Sequence, residues 1–471
     1  MTPLWREAEL TAALGAEPSA PLSAAVGGVS IDSRTLVPGD LFFAIKGDAH
    51  DGHDHVARAF EAGATAAVVS RQRAPGLAAF GPVFAVEDTL KGMGRLGRAA
   101  RARSRAKIVA VTGSAGKTTV KEMLRAMLAA CGQTHASAAS YNNHWGVPLT
   151  LARLPADARF GVFEIGMNHA GEIEPLARMA RPHIALVTTI APVHIEYLGS
   201  IEAIADAKAE IFLGLEPDGA AVINRDAPQF DRLMKAAVSR GARVLTFGRG
   251  TDCDGELLGI EAAGGGSRVR ARVSGHELAF DLGAPGAHMA ENALGALIAA
   301  QALGAGLDAC AAALGGFSPQ KGRGERFLLP TPDGEATIID ESYNANPASM
   351  RAALKLLAAA KPGPKGRRIA VIGDMLELGE KAAAMHAELA ADLSANNVDL
   401  LFGAGPLTRA LFDAAPASMR AAWRERSSEL ADDVARTLRG GDIAMVKGSN
   451  ASRMGPLVAA LRERFAPAAG G

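Results

Sequence analysis

Residues Lys107-Ile-Val-Ala-Val-Thr112 run directly into Gly113-Ser-Ala-Gly-Lys-Thr-Thr119 and a helix-forming stretch from Thr118 to Ala130. A six-residue strand this apolar has no face left for water, so it belongs inside a sheet covered on both sides. Consecutive backbone N–H groups of a glycine loop, backed by a helix N-terminus, hold phosphate oxygens. Lys117 adds a positive charge, Thr118 offers a hydroxyl to magnesium, and Thr119 either caps the helix or touches a neighbouring phosphate. The loop is not a full G-x-x-x-x-G-K-[ST] match, because Val111 stands where the first glycine belongs and Gly113 takes over. An ordinary turn is the competing reading. The strand before and the helix after favour a phosphate-binding loop, and with it an ATP-binding enzyme.

Around this unit the chain alternates strand and helix patterns. Strands are expected at 160–165, 184–189 and 220–224, with helices near 174–180 and 201–213, which implies a mostly parallel sheet with ligand loops beyond its strand ends. From Arg243 to Leu282 short strands broken by glycines extend that unit, and 287–300 is a strong helix. A smaller mixed unit precedes it, with strands at 41–45 and 66–69 and a helix at 55–61. A third alternating unit follows the junction Phe317-Ser-Pro-Gln-Lys-Gly-Arg-Gly324, with strands at 336–340, 368–372, 398–402 and 443–446. The 471 residues exceed what one core normally serves, and they divide at 1–90, 91–324 and 325–471.

Zero formal net charge with 21% charged residues argues against a nucleic-acid wrapper or an acidic tail. Cys131, Cys253 and Cys310 lack metal-ligand spacing and fit a reducing compartment. The start MTPLWREAEL is not a secretory signal, and charge, Gly or Pro interrupts every apolar run. A cytoplasmic protein without a membrane anchor is expected.

Further polar residues sit where such a sheet presents its ligands. Glu164 ends a strand before Gly166; it either binds magnesium or caps the turn at Gly171-Glu172-Ile173. His194 follows a strand after Ala191-Pro192 and reads equally as a ligand or a loop histidine. Lys208, inside a helix, reads from spacing alone as a solvated lysine. His288 and Asn292 share a helix face, and an asparagine amide suits an adenine edge, although capping or packing would account for both. Asp340-Glu-Ser-Tyr-Asn-Ala-Asn-Pro347, Gly373-Asp374-Met375-Leu376-Glu377 and Lys447-Gly448-Ser449 each follow a strand of the third unit. They form a second ligand face able to close over the first.

Taken in order, Asp32-Ser33-Arg34, Pro38 to Ala44, Thr112 to Thr119, Asn142-Asn143 with Gly146-Val147-Pro148, Glu164, His194, Ala207 to Phe212, Asn292, Asp340 to Pro347, Gly373-Asp374-Met375 and Lys447-Gly448-Ser449 resemble the ATP-dependent Mur ligases of bacterial cell-wall synthesis. The resemblance covers essentially the whole chain. It implies an α/β, three-domain architecture: a UDP-sugar domain (1–90), a central P-loop nucleotide-binding domain (91–324) and a C-terminal Rossmann-like domain (325–471). By that resemblance Ser33, Arg34 and His53 lie near the UDP-sugar. Gly113, Ser114, Gly116, Lys117, Thr118 and Thr119 bind ATP. His288 and Asn292 lie near adenine, and Arg323 approaches the phosphates. Asp340, Tyr343, Asn344 and Asn346 line the nucleotide and amine side, Asn142 and Asn143 contact substrate, and Asp374 and Lys447 shape the far end of the site.

Thr118, Glu164, His194 and Lys208 would hold magnesium, with Lys208 carbamylated by carbon dioxide. Lys117, Glu164, His194, Lys208 and Asn344 would carry the catalysis. The 340–347 block, and the lack of an Asp-Asn-Pro-Arg motif, favour the branch that adds D-alanyl-D-alanine to a UDP-N-acetylmuramoyl-tripeptide over the sibling that adds a single third amino acid. A monomer is expected. Two positions depart from the family pattern: Ser140, where asparagine is common, and Asn450, where arginine is common and Arg453 stands one helical turn away.

Overall fold

The computed structural model describes residues 3–47, 50–138, 140–193 and 195–465, and three sheets organise them. The first contains β1 (Gly28–Ser30), β2 (Asp40–Phe43), β3 (Ala66–Ser70) and β4 (Val83–Val86) in that order, all parallel. Its inner strands are buried on both faces, as β3 (Ala-Ala-Val-Val-Ser) requires.

The second sheet takes in β5 (Lys107–Thr112), β6 (Thr134–Ala136), β7 (Phe160–Glu164), β8 (Ile184–Val187), β9 (Ala220–Asn224), β10 (Arg243–Gly248), β11 (Gly255–Ala263), β12 (Gly266–Val273) and β13 (His276–Leu282). Their spatial order is β13-β12-β11-β10-β9-β8-β5-β7-β6. Pairing is parallel from β6 to β11, and β11 to β13 form the antiparallel extension expected from the glycine-broken stretch. The chain leaves β5 toward β7 on one side and returns to β8 on the other, so the loop after β5 occupies a topological switch point, where ligands settle in such sheets.

The third sheet contains β14 (Glu325–Thr331), β15 (Gly334–Glu341), β16 (Arg368–Gly373), β17 (Leu400–Ala404), β18 (Arg420–Arg424) and β19 (Ile443–Lys447), ordered β14-β15-β19-β16-β17-β18. Only β14 runs antiparallel to its neighbour. The polar loops after β15, β16 and β19 therefore emerge side by side. Strand positions read from the sequence recur here within a few residues. The helix expected over 201–213 stops at Ala209 and tightens into a 3₁₀ turn over Glu210–Gly214. Among the described residues no helix is long and apolar enough to cross a membrane.

Helix Thr89–Arg103 bridges the first two sheets. One apolar cluster runs from Trp5, Leu10 and Phe84 through Leu96 and Leu151 to Phe212 and Ala237. Trp5 is 1% exposed, donates its indole N–H to the Ala152 carbonyl at 2.8 Å and lies 3.5 Å beneath the Arg103 guanidinium. Gly97 permits this packing, since a Cβ there would sit 3.0 Å from the Pro148 carbonyl and 3.2 Å from the Leu151 side chain. The two faces of the third sheet have cores of their own, drawn entirely from residues 329–461.

Candidate active site between the second and third sheets

Strand β5 delivers the chain into Gly113 at φ 152° and Gly116 at φ 81°, and helix Lys117–Ala129 begins immediately after. Both glycines are imposed from behind. A Cβ on Gly113 would lie 1.9 Å from Thr188 Oγ1, and one on Gly116 2.9 Å from Asn292 Oδ1. Thr188 also donates to the Ala115 carbonyl at 2.5 Å, while Ser114 donates its N–H to Thr189 O and its hydroxyl to Ala191 O. Ser114 therefore secures the loop, leaving the turn at 115–117 to face the cleft.

Lys117 Nζ donates to Gly113 O at 2.7 Å. Desolvation in the cleft lowers its pKa; the Glu164 carboxylate opposes that shift and the Arg323 charge adds to it. Thr118 donates to Glu164 Oε2 at 2.9 Å, and Asn142 donates its amide to Oε1 at 2.7 Å. Glu164 is thus 1% exposed and anchored to the phosphate loop. The turn it was a candidate to cap is capped by Glu210, which accepts from the backbone N–H groups of Gly171, Ile173 and Glu174. Asn143 accepts from Gly146 N at the start of the buried helix Gly146–Ala152.

Lys208 projects into the same region with 2% exposure. Burial, reinforced by the charge of Lys117, holds its pKa well below that of an ordinary lysine, and among the described residues no carboxylate pairs with it. This replaces the solvated lysine that helix spacing suggested. His194 lies outside the described residues.

The third sheet closes the cleft from the other side. Arg323 donates to Ser140 Oγ at 3.1 Å and lies 4.0 Å over the Tyr343 ring, and Ser140 Oγ is 3.3 Å from Thr118 Oγ1. Lys447 is 2% exposed, donates to Asn344 O at 2.9 Å and faces Glu341 at 3.3 Å. A cavity of about 250 Å³ lies against Gly116, Thr119, Phe247, His288, Asn292, Arg323, Tyr343, Asn344, Asn346 and Lys447. Burial lowers the pKa of His288, against the opposing charges of Glu341 and Glu291. An adjoining cavity of about 820 Å³ lies against Lys117, Thr118, Ser140, Asn142, Asn143, Glu164, Arg323 and Asn344.

Three family models match successive stretches of the chain. The "Mur ligase family, catalytic domain" covers residues 25–128, the "Mur ligase middle domain" 111–300, and the "Mur ligase, glutamate ligase domain" 322–450. A UDP-N-acetylmuramoyl-tripeptide–D-alanyl-D-alanine ligase of Bacillus subtilis (strain 168) is 34% identical over 439 residues, 93% of each chain. The chain belongs to the Mur ligase family. The enzyme of the same name from Escherichia coli (strain K12) is 35% identical over 442 residues, 92% of this chain and 93% of that one. A crystal structure of MurF from Acinetobacter baumannii superposes with a TM-score of 0.83 at 29% identity, over 98% of this chain and 99% of that one.

Other residues singled out from the sequence of this Mur ligase have mainly internal contacts. Asp340 is fully buried and accepts from Gly322 N, Ser342 N and the Ser342 hydroxyl, so it ties the junction to β15 and is reached by neither cavity. Asn346 caps helix Pro347–Ala359 through Ser349 N. Asp374 accepts from the N–H and hydroxyl of Thr408 and borders a separate cavity of about 570 Å³ with Gly405, Arg426 and Arg453. In the first sheet's domain His53 has both ring nitrogens occupied, by Asp51 and by Ser70 N. It orders its loop, presents no free nitrogen and stands apart from the cleft. Ser33 is nearly buried, and Arg34 is exposed but locked onto Asp32.

Several contributors escaped sequence reasoning. Thr188 shapes the loop from just beyond strand β8, and its place near a strand end was its only signal. Lys121 is wholly buried, donates to Ser137 O at 2.9 Å and pairs with Glu122. A charged pair in a helix reads as solvent-facing until the helix is seen packed on the loop that bears Ser140.

Proposed function

We propose that this chain is an ATP-dependent amide-bond-forming ligase that joins D-alanyl-D-alanine to UDP-N-acetylmuramoyl-tripeptide, yielding the pentapeptide, ADP and phosphate in peptidoglycan synthesis. The observation carrying this reading is the shared cleft. Lys117, Thr118 and Glu164 face Arg323, Asn344 and Lys447 across it, so an activating phosphate and an incoming amine can meet there. The tripeptide's terminal carboxylate attacks the γ-phosphate of ATP; the bond to the β-phosphate oxygen breaks and ADP departs. Lys117 and Arg323 face the spreading negative charge. The dipeptide amine then attacks the acyl phosphate carbonyl, passes through a tetrahedral adduct, loses a proton and expels phosphate. Asn344 and Lys447 lie on the amine side. The cavity at Asp374 gives the dipeptide its place, with Arg426 and Arg453 near its carboxylate.

The donors present suit magnesium. Among the described residues no three His, Cys, Asp or Glu side chains cluster as a metal cage. Magnesium commonly takes one or two protein carboxylates and completes its shell with phosphate and water. Thr118 and Glu164 would hold it, joined by Lys208 as a carbamate and by His194; the ion would supply charge neutralisation to the phosphates. Burial lowers the pKa of Lys208, and carbon dioxide adds to an amine in its uncharged form. A carbamate carbon resonance on incubation with ¹³C-bicarbonate, absent from Lys208→Arg, is the expected result; identical spectra would remove this role.

The chain's need for ATP supports a cytoplasmic site of action, and a monomer is proposed for it. A mass-resolved ligation assay tests the whole reading. Pentapeptide and phosphate should form only when ATP, UDP-tripeptide and D-alanyl-D-alanine are all present. Product from a UDP-dipeptide and a single amino acid, or phosphate release without the acceptor, would overturn it.

A further inference from the structure

The chain has three cysteines, and none takes part in the ligation chemistry. Cys131 follows the phosphate-loop helix Lys117–Ala129 and is half-buried, whereas Cys310 lies in helix Leu307–Gly315 at 1% exposure. They are 179 residues apart in sequence, yet their sulfurs are 3.8 Å apart. Each thiol also points at the other helix's surroundings: Cys310 Sγ is 3.8 Å from Met127 O, and Cys131 Sγ is 3.9 Å from Gly306 O. A disulfide needs the sulfurs closer by only about 1.8 Å, the scale of a side-chain rotation.

We propose that Cys131 and Cys310 form a peroxide-sensitive modification site, in which Cys131 is oxidised first and Cys310 resolves it as an intramolecular disulfide. The half-exposed Cys131 thiolate attacks hydrogen peroxide, the O–O bond breaks, and sulfenic acid and hydroxide form. The Cys310 sulfur then attacks the Cys131 sulfur. An S–S bond forms, the S–O bond breaks, and the departing hydroxide leaves as water with the Cys310 proton. The oxidant takes two electrons, one from each sulfur.

The division of labour follows from the surroundings. Burial, with Cys131 beside it, pushes the Cys310 thiol up to about 12, so it stays protonated and shielded until a sulfenic acid forms next to it. Cys253 provides an internal reference. It too is half-buried, but burial and the carboxylates of Asp252 and Asp226 raise its pKa, which disfavours the reactive thiolate. The two helices are already packed, so the bridge leaves the phosphate loop in place and spares Cys131 from irreversible overoxidation.

The test treats the intact, fully reduced chain with hydrogen peroxide, blocks remaining thiols with N-ethylmaleimide and maps the peptides by mass. The expected product joins the Cys131 and Cys310 peptides with loss of two hydrogens, at a rate independent of protein concentration. Dithiothreitol should reverse it, Cys253 should remain alkylated, and Tm should rise by a few degrees in the bridged form. Cys310→Ser should carry Cys131 to a dimedone-reactive sulfenic acid and then to sulfinic acid, and Cys131→Ser should leave Cys310 unoxidised. Sulfinic acid at Cys131 of the wild-type chain without a bridge would overturn the proposal, as would oxidation of Cys253 ahead of Cys131 or a disulfide-linked dimer. The wild-type peptide map decides the matter even if a serine variant fails to fold.

Discussion

The first and second sheets are joined by helix Thr89–Arg103 inside an apolar core that runs from Trp5 to Ala237, whereas the second and third meet through Arg323, Ser140, Tyr343 and a pair of cavities. Beyond the helix, the apolar junction is reinforced by Arg103 donating to Leu4 O and Arg153 to Val29 O, both at 2.6 Å. No hydrophobic cluster of the described residues crosses the polar junction. Apolar burial holds a unit in one place, while a junction that no apolar cluster of the described residues spans leaves relative motion as the default. Stability is therefore concentrated at one seam and chemistry at the other.

Lys117→Met breaks the polar side hardest. Removing the ammonium from the cleft should lower kcat/KM for ligation by about 10²–10³-fold with Tm unchanged, read from phosphate release and calorimetry side by side. Unaltered turnover would mean that the glycine loop is not where ATP is activated.

Trp5→Ala attacks the opposite seam. Deleting a 1%-exposed indole that packs across the junction should cost about 3–5 kcal/mol in urea unfolding. The surviving folded fraction should ligate at nearly the wild-type rate. A variant as stable as the parent would show that the continuous core does not secure the first domain.

Arg323→Ala should be milder, raising the KM for ATP roughly tenfold, the scale of one charge-assisted contact. Small-angle scattering should find its compaction by an ATP analogue diminished, while urea unfolding stays at the parent value. A stability loss comparable to that of Trp5→Ala would erase the contrast between the seams.

Acid gives the smallest expected effect. Burial is the first cause lowering His135, and burial followed by the Lys107 and Arg101 charges lowers His183, each to about 4. His183 Nδ1 also accepts from Ile108 N, so the folded ring must stay unprotonated there. Between pH 6.5 and 4 the unfolded chain binds protons that the folded chain refuses. The stability present above pH 6.5 is therefore lost as pH falls through that window. Urea midpoints at pH 7.5 and 5 measure this. Equal midpoints for the parent would contradict it, and His183→Gln should flatten part of the slope.

Period and composition made the strands of the second and third sheets readable, because parallel strands buried on both faces are continuous apolar runs. In the third sheet β14 and β18 went unread, and so did two elements of the second unit, strand β6 and helix Gly146–Ala152. Strand β6 is three half-buried residues long, and the helix is buried at every position, so neither of these two shows an amphipathic pattern. Around the cleft the phosphate loop was visible as a local strand, turn and helix. The Thr118–Glu164 hydrogen bond spans 46 residues and the Arg323–Ser140 bond spans 183, separations that no local pattern encodes. The burial of two lysines is hidden from the sequence for the same reason. Lys208 and Lys121 have the helix positions of surface residues, and only packing reveals that water is missing around them.

Trp5 also sets a timetable for synthesis. Its indole partner, the Ala152 carbonyl, is 147 residues downstream. At about 5–20 residues per second, the ribosome supplies it roughly 7–30 s after the tryptophan. Throughout that interval the nascent first domain carries an uncovered aromatic face, so its maturation waits on translation of its neighbour. The third sheet draws its cores from its own stretch of chain and can complete itself once that stretch has emerged.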